Sequence, residues 1–454
     1  MPSDPVPVKL QSVKYAPPPA ELPVLGKSES GEVSFFGKTN YVAALEEKKF
    51  VFGIKRADRR RHIYLVGKSG VGKTKLMEIL IRQDIWLGRG LCLFDPHGDL
   101  IEDVLHAVPE SRVNDVIIID PSDLTCPIAF NPFTGVEPTF RHQFAQGLIE
   151  IFSTQFGASW NAHMEHVLRF TLLALLEYPD ATLFGLLAML TEAEYRGKVI
   201  PHITDAMVRR FWEHEFMEWM RTSTVEAEAI APLINKCGQF LSDPHLRVIF
   251  EKKENAIEMT KLMQEQKILL INLSKGNLGK DSAAFFAGIL LVKMKEAGMA
   301  RLKLPEKDRK DFYVYIEEFH ALITETFESL LFEGKKYHIC FTIAHQYLGQ
   351  IIEHFRASIF GNIGTLVVFR VGGEDAERLE SELAPVFKVK DMINLGQREF
   401  YIKLMIDGES HDPFSAETLK VLPPNHPSCK DKIIKTFQGK YCHPLGNQKI
   451  EANK

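Results

Sequence analysis

The octapeptide GKSGVGKT, residues 67–74, constrains the fold of this chain more than any other feature. It matches the pattern G-x-x-x-x-G-K-[ST] at every required position, after an apolar run at 62–67 and before a helical pattern at 75–86. A glycine-rich loop between a strand and a helix turns backbone N–H groups and the positive end of the helix dipole toward one point, where phosphate binds. A ligand-free glycine-rich turn is the alternative, and the flanking pattern favours the phosphate site.

Each position of this P-loop has an expected role. Lys73 can reach the β- and γ-phosphates, and the Thr74 hydroxyl can hold Mg²⁺. We therefore predict a nucleoside triphosphatase with ATP and Mg²⁺ as cofactors. The predicted nucleotide-binding residues are Gly67, Lys68, Ser69, Gly70, Val71, Gly72, Lys73 and Thr74.

Two acidic residues, Glu317 and Glu318, directly follow the apolar run FYVYI at 312–316. In P-loop proteins an acidic residue at the end of a neighbouring strand holds the Mg²⁺ shell, which is the role predicted for Glu317. Glu318 is then placed to deprotonate the attacking water as a general base. The alternative is an exposed helix N-terminus, where glutamates also interact favourably with the helix dipole.

Two further polar residues are expected at strand ends. Gln346 follows the apolar run at 338–344, at the edge where open α/β sheets bind ligands. Its amide can donate to a γ-phosphate and accept from water, so it is a candidate nucleotide sensor; an ordinary surface glutamine is the alternative. Asp95 ends the run at 90–95 and is predicted to line the site without an assigned chemistry.

The wider pattern predicts an α/β protein with a mostly parallel central sheet. Short, continuously apolar runs alternate with helical segments, which is typical of strands buried on both faces. Between about 140 and 260 only helical periodicity is present, so an all-α domain is inserted. The predicted parts are a disordered proline-rich arm at 1–30, an α/β core at 31–139 and 261–422, the helical insertion at 140–260 and a C-terminal tail at 423–454.

Composition is that of a soluble protein. The 454 residues are 45% hydrophobic and 25% charged, with a net charge of −4. The first residues lack the pattern of a signal peptide, and no apolar run approaches the ~20 residues of a membrane span. Cys92 and Cys340 lie in apolar runs and no C-x-x-C occurs, so we expect reduced core thiols and a cytoplasmic protein.

Two basic stretches are candidates for contact with nucleic acid. Residues 48–75 carry ten basic side chains and a single acid, and their central part, 55–62, either contacts DNA phosphate or is a solvated connector. In the polar loop at 272–280, Lys275 and Lys280 could grip a nucleic-acid backbone; a plain surface loop is equally compatible.

The C-terminal segment contains a group of potential zinc ligands. These are His426, Cys429, Cys442 and His443. Their spacing is not that of a standard finger, and adjacent Cys and His rarely bind one ion. An ordinary C-terminal tail is therefore the favoured interpretation.

Taken in order, several motifs resemble those of the FtsK/HerA superfamily of ring-forming ATPases, and more closely its conjugative type IV coupling-protein branch (TraG/TraD-like). The resemblance covers about residues 50–420. It implies a RecA-like core, a homohexameric ring, ATP-driven pumping of DNA through the central channel, and a helical insertion that recruits substrate or partner. The motifs are LVGKSGVGKTKLM, CLFDPHGDL, IAFNPF, FYVYIEEFHAL, TIAHQYLGQI, GNIGTLVVFRVGGEDAERLE and HDPFSAETL.

The chain departs from the family pattern in several places. Glu317 stands where the family usually has Asp, and the sequence contains neither the usual membrane-spanning helices nor room in residues 1–60 for a HerA-type β-barrel. Relatives often carry an arginine that reaches the neighbouring subunit's nucleotide. Here that position offers lysines, so Arg370 is the first candidate for the trans contact and Lys335 the second.

The predicted function is thus an ATP-hydrolysing DNA translocase that works as a hexameric ring. A membrane channel, a relaxase or a nuclease are its candidate partners, and the strandedness of the DNA is open. A nucleotide-dependent assembly scaffold and a protein-secretion ATPase without DNA motor activity are the alternatives.

Overall fold

The computed structural model describes residues 13–29, 31–41, 49–222, 224–274 and 278–442. The chain divides into two compact units. Unit 1 comprises Met1–Leu87, Tyr315–His320 and Cys340–Pro423. Unit 2 comprises Gly88–Val314, Ala321–Ile339 and Pro424–Lys454.

The strands are short and mostly buried, and they are numbered in chain order. They are β1 Val33–Thr39, β2 Val51–Lys55, β3 Ile63–Val66, β4 Gly90–Asp95, β5 Val116–Ile119, β6 Ile268–Asn272, β7 Phe312–Ile316, β8 Ile339–His345, β9 Thr365–Val368, β10 Glu399–Lys403, β11 Met405–Ile406, β12 Glu409–Ser410 and β13 Phe414–Thr418.

In unit 1 the strand order is β2-β1-β13-β10-β9-β3-β8-β7, with β7 contributing its end from Tyr315. Strand β3 pairs in parallel with both β8 and β9, whereas β10, β13, β1 and β2 continue the sheet in antiparallel fashion. Every residue of β3, β7 and β8 is buried, as expected for strands covered on both faces. Strand β13 was not predicted from the sequence.

Helices flank these strands in unit 1. The longest, Lys73–Trp86, directly follows the P-loop and buries most of its residues. The α-helices of unit 1 are Arg56–Arg59, Lys73–Trp86, Glu353–Asn362, Gly373–Leu383 and Val389–Ile393.

In unit 2 the parallel strands β4-β6-β5 accompany many helices. All regular structure assigned to the described residues between β5 and β6 is helical. The α-helices of unit 2 are Asp99–Ala107, Arg141–Phe156, Ala162–Leu175, Gly185–Thr191, Ala193–Val199, Ala206–Arg210, Phe216–Thr222, Thr224–Ser242, Pro244–Phe250, Met259–Gln264, Lys280–Arg301, Glu325–Tyr337 and Lys430–Tyr441.

The boundaries of the compact units differ from the predicted domain boundaries. Helix Arg141–Phe156 packs closely on helix Lys280–Arg301. The contact is so close that a Cβ added at Gly147 would lie only 2.8 Å from the side chain of Val292. The helical segment therefore clusters with strands that the sequence assigned to the core. Periodicity along the chain cannot predict this, since it does not show which helix faces meet.

The described part of the proline-rich arm differs from the disorder expected for residues 1–30. The Ala16 amide donates to the Ser415 hydroxyl at 3.0 Å, and Tyr15 donates to Glu399 at 3.0 Å. Both Ala16 and Leu22 are buried. Residues 13–29 therefore contribute to unit 1 as an ordered segment with little regular structure.

A buried ion pair lies inside unit 1. The guanidinium of Arg59 donates to the two carboxylate oxygens of Asp84 at 2.7 and 2.9 Å, and both side chains are inaccessible to solvent. Tyr315 donates to Asp84 at 2.5 Å, and Arg59 donates to the Ser34 hydroxyl at 3.0 Å. Arg59 is thus neither a DNA contact nor a solvated connector. One residue of the basic run at 55–62, Arg59, therefore has a structural role that the composition of the run did not indicate.

The zinc hypothesis for the C-terminal segment is not supported by the residues that can be described. Cys442 forms a disulfide with Cys126, and no group of three or more His, Cys, Asp or Glu suited to a metal ion occurs in the described part of the chain. His443 lies outside that part. Cys92 and Cys340 are buried and are not part of a disulfide, as predicted. The disulfide was not expected in a chain predicted to be reduced, because such bonds are rare in the cytosol.

Within residues 13–442, as far as they are described, none of the helices combines the length and the apolar character needed to cross a bilayer.

Candidate nucleotide-binding site

The P-loop leaves the buried strand β3 and enters helix Lys73–Trp86. Gly70 has φ +74° and Gly72 has φ +123°, conformations that residues with a Cβ rarely adopt. These glycines let the loop curl before the helix begins. The first helical N–H groups lack intrahelical acceptors, so they can bind an anion.

Gly67 has φ +157°, which is also rare for residues with a Cβ, and close packing is a second reason for a glycine at this position. A Cβ at this position would lie 2.6 Å from the Cβ of Phe369.

Because overpacking costs about 1–3 kcal/mol, we expect Gly67→Ala to raise the Kd for an ATP analogue by about tenfold to hundredfold. Fluorescence titration measures this. Gly373→Ala is the matched control, since a Cβ there meets open space; equal affinities for both variants would contradict the packing argument.

The side chain of Lys73 is held inside the loop. Its ammonium donates to the carbonyl oxygens of Gly67 at 2.6 Å and Lys68 at 2.9 Å. Burial lowers the pKa of Lys73, while the nearby charges of Glu318 and Glu317 raise it in opposition. The two carboxylates therefore help keep this buried lysine charged, as its predicted phosphate contact requires.

Thr74 and Glu317 are in direct contact, although they are far apart in sequence. The Thr74 hydroxyl donates to a carboxylate oxygen of Glu317. The longer side chain of Glu317, compared with the usual Asp, therefore reaches the first turn of the P-loop helix. This juxtaposition brings together the two residues predicted to hold the metal.

Glu318 has an unusual backbone for its residue type. Its φ is +51°, in the left-handed region, and its side chain is only 14% exposed. Its charge acts on Lys73 more strongly than that of Glu317 does. Consecutive residues of a regular strand point to opposite faces. The left-handed turn at Glu318 ends that alternation, so both carboxylates can act near one lysine.

Gln346 and Arg370 follow the two strands that flank β3. The Gly67 N–H donates to the carbonyl of His345 at 3.3 Å, immediately before Gln346, and the Lys68 N–H donates to the carbonyl of Arg370 at 2.9 Å. Gln346 is half-buried and the Arg370 side chain is exposed. Both predicted residues therefore border the P-loop, one on each side.

Asp95 and Lys335 belong to unit 2. Asp95 is fully buried, and its carboxylate accepts from the N–H groups of His97 at 2.9 Å and Ile101 at 3.0 Å. It therefore holds the start of the following helix, and its place in the lining of a site stays a prediction. Lys335 is exposed near the end of helix Glu325–Tyr337.

Sequence reasoning missed a buried histidine, His345, beside the P-loop. Its Nδ1 lies 3.3 Å from the Tyr64 hydroxyl, and its ring lies 5.7 Å from that of His320. Burial, then the neighbouring His320, lowers the pKa of His345 to about 3, so its imidazole is neutral. A histidine inside an apolar strand gives no signal of its own in sequence.

A second missed element is the segment before β10. The Arg398 N–H donates to the Val71 carbonyl at 2.9 Å, and the Gln397 amide donates to the Gly70 carbonyl at 3.4 Å. Arg398 has φ +68°. This contact supports the P-loop from its outer side. No local pattern could have indicated it, because more than three hundred residues separate the partners.

The residues present fit ATP and Mg²⁺. Mg²⁺ binds a few protein oxygen ligands and completes its shell with water and phosphate. The adjacent hydroxyl of Thr74 and carboxylate of Glu317 are such ligands, and the buried ammonium of Lys73 complements phosphate charge.

This fold and site define a mixed α/β protein of the P-loop ATPase class, which confirms the predicted fold class. Residues 52–385 match the family model described as the type IV secretion-system coupling protein DNA-binding domain. Since this match spans most of the sequence, the chain belongs to that family. No protein with a curated description matches it.

Solved structures support the same fold. The plasmid coupling protein TrwB in complex with the GTP analogue GDPNP has a TM-score of 0.61 at 14% identity, covering 83% of this chain and 90% of that one. TrwB with ADP and Mg²⁺ gives 0.61 at 15% identity, with 83% and 89% covered. VirB4 of Thermoanaerobacter pseudethanolicus gives 0.53 at 12% identity, with 82% and 94% covered.

Proposed function

We propose that this protein hydrolyses ATP and uses the energy to move DNA as a homohexameric ring, in the manner its coupling-protein family suggests. The observation that carries the proposal is the convergence of Lys73, Thr74, Glu317 and Glu318 within unit 1. TrwB has been crystallised with ADP and Mg²⁺, which supports the same ligands here.

Binding comes first in the proposed mechanism. The N–H groups of the P-loop hold the phosphates, and Lys73 exchanges its contacts with Gly67 and Lys68 for phosphate oxygens. Thr74 and Glu317 would hold Mg²⁺, which would supply positive charge to neutralise the charge that develops on the phosphates.

Glu318 then acts as general base. Its carboxylate accepts a proton from the attacking water, a role that contributes typically ~10²–10⁴-fold to rate. Gln346, at the border of the P-loop, reports the presence of the γ-phosphate through its amide. Arg370, whose side chain is exposed, is the first candidate for contact with a neighbouring subunit's nucleotide, and Lys335 is the second.

DNA is the proposed substrate because the matching family model describes a DNA-binding domain. Lys280 is exposed at the first position of helix Lys280–Arg301, where the positive end of the dipole disfavours a cation. A phosphate ligand would offset that cost. Lys275 lies outside the described residues and remains a candidate from sequence.

The helical segment at 140–260 is proposed to recruit substrate or partner, with a membrane channel, a relaxase or a nuclease as candidate partner classes. We place the protein on the cytoplasmic side, where ATP is available.

The decisive test measures ATP turnover with and without DNA. We expect DNA to stimulate turnover several-fold in the wild type. Lys280→Ala should weaken DNA binding and reduce the slope of log K against log salt by about 1, since one phosphate contact is lost.

Lys261→Ala is the control for this test. Lys261 is an exposed lysine on the short helix Met259–Gln264 of unit 2, and it pairs with Glu265 at the end of that helix. An ATP turnover rate that neither single- nor double-stranded DNA changes would favour the scaffold or protein-secretion alternative. The similarity to VirB4 is the observation that supports this alternative. Particle mass with an ATP analogue and DNA tests the hexamer.

A further inference from the structure

The side chain of Glu318 needs a partner that holds it in place. A glutamate has several rotatable bonds, and fixing such a side chain in one position costs conformational entropy. The left-handed backbone of Glu318 sets the direction in which the side chain leaves the chain, but it does not fix the carboxylate. A base that must meet one water molecule gains rate from being held in one position.

His320 is the residue placed to hold it. Its Nδ1 lies 3.4 Å from Oε2 of Glu318, and the side chains of the two residues are only 16% and 14% exposed. Catalytic hydrogen bonds are commonly long in ligand-free proteins and tighten when substrate binds. The present separation of 3.4 Å is just beyond the usual N–H···O range of about 2.7–3.2 Å, so we expect the pair to tighten into a hydrogen bond when nucleotide binds.

The surroundings of His320 restrict its own movement. Its ring lies 5.7 Å from the ring of the buried His345. The intervening residue in the chain, Phe319, is fully buried and packs against the rings of Tyr64 at 5.8 Å and His345 at 5.2 Å. The backbone that carries His320 is therefore anchored in the core, next to the strand that leads into the P-loop.

We propose that His320 is a positioning residue, which donates a hydrogen bond from Nδ1 to Glu318 and holds the carboxylate ready for the attacking water. The inference rests on the proposed role of Glu318 as general base. It gives a role to a residue that lies within the quoted motif FYVYIEEFHAL but had no role assigned to it. Its proposed action is through Glu318.

The substitutions His320→Asn and His320→Gln distinguish a hydrogen bond to Glu318 from simple packing. The amide nitrogen of Asn can occupy the position of Nδ1, whereas that of Gln reaches toward the position of Nε2. We expect His320→Ala and His320→Gln to lower kcat by about 10–100-fold, the usual effect of removing an outer-shell partner, with the Kd for an ATP analogue unchanged. His320→Asn should recover most of the lost kcat.

The measurements are kcat and KM for ATP, the analogue Kd and the melting temperature of each variant. His354→Ala is the matched control, since this exposed histidine of unit 1 should leave all four unchanged. The double variant Glu318→Gln/His320→Ala should be no slower than Glu318→Gln alone, because the two residues act together.

The inference is overturned if His320→Ala turns over ATP like the wild type, or if Asn and Gln behave alike. It is also overturned if the double variant shows the product of the two single effects. If Glu318→Gln itself retains full activity, the proposed function fails; if Glu318→Gln is inactive but His320→Ala is not, only the positioning role fails.

Discussion

Replacing Glu318 with glutamine is expected to lower kcat for ATP by about 10²–10⁴-fold, the contribution of a general base. The amide is nearly the same size as the carboxylate but cannot accept the proton of the attacking water. Nucleotide binding should survive, because the P-loop N–H groups and the Thr74–Glu317 pair are unchanged, and Glu317 still supports the charge of Lys73. Steady-state turnover and titration of a fluorescent ATP analogue measure the two quantities separately.

Glu353→Gln is the control for this substitution. Glu353 is exposed in the first turn of helix Glu353–Asn362 in the same unit, so removing its charge should leave kcat unchanged. A Glu318→Gln enzyme with wild-type turnover would show that the second of the two acids is not the base. Loss of nucleotide affinity equal to the loss of kcat would place Glu318 in binding instead.

Asp84→Asn is expected to destabilise unit 1 by about 3–5 kcal/mol, because it leaves the buried charge of Arg59 without a counter-charge. Asp84 is fully buried and accepts hydrogen bonds from both Arg59 and Tyr315. For units of this size about 2–4 °C is lost per kcal/mol, so the melting temperature should fall by roughly 10 °C. Thermal and urea denaturation measure the change.

Asp407→Asn provides the matched comparison. Asp407 also pairs with a basic residue, Lys55 at 2.5 Å, but its side chain is 66% exposed. Exposed ion pairs contribute little, so this variant should melt close to the wild type. Its left-handed backbone, φ +55°, is one that Asn tolerates well. Equal shifts for the two variants would mean that burial of the Arg59–Asp84 pair is not what makes it important.

Much of the site could be predicted because its signals are local. The P-loop is a contiguous pattern whose glycines serve specific backbone conformations and contacts, at Gly67, Gly70 and Gly72. Glu317 and Glu318 lie at the end of an apolar strand, where two charged side chains are unfavourable unless they have a partner or a ligand. Both signals depend only on residues that are neighbours in sequence, which is why they can be detected without a structure.

Other features could not be predicted, because they depend on which distant segments meet. In the sequence Arg59 is one of several residues in a basic run. In the structure its guanidinium donates to Asp84 and to the Tyr315 hydroxyl. The carboxylate of Asp95 accepts from the N–H of Ile101 in the first turn of the following helix, a contact that its place at a strand end did not indicate. The antiparallel strand β13 and the support of the P-loop by Arg398 both join segments that lie far apart along the chain.

The amino-acid sequence alone determined that this chain makes a P-loop between a strand and a helix and supplies a pair of acids to serve it. Its short apolar runs also determined an α/β fold with an additional helical segment. The tertiary structure decided the roles of individual charges: which are buried with a partner, which reach Thr74 or Lys73, and which remain exposed. The physical reason is that conformational and hydrophobic preferences act over a few neighbouring residues, whereas the energy of a charge depends on its burial and on partners brought close by folding.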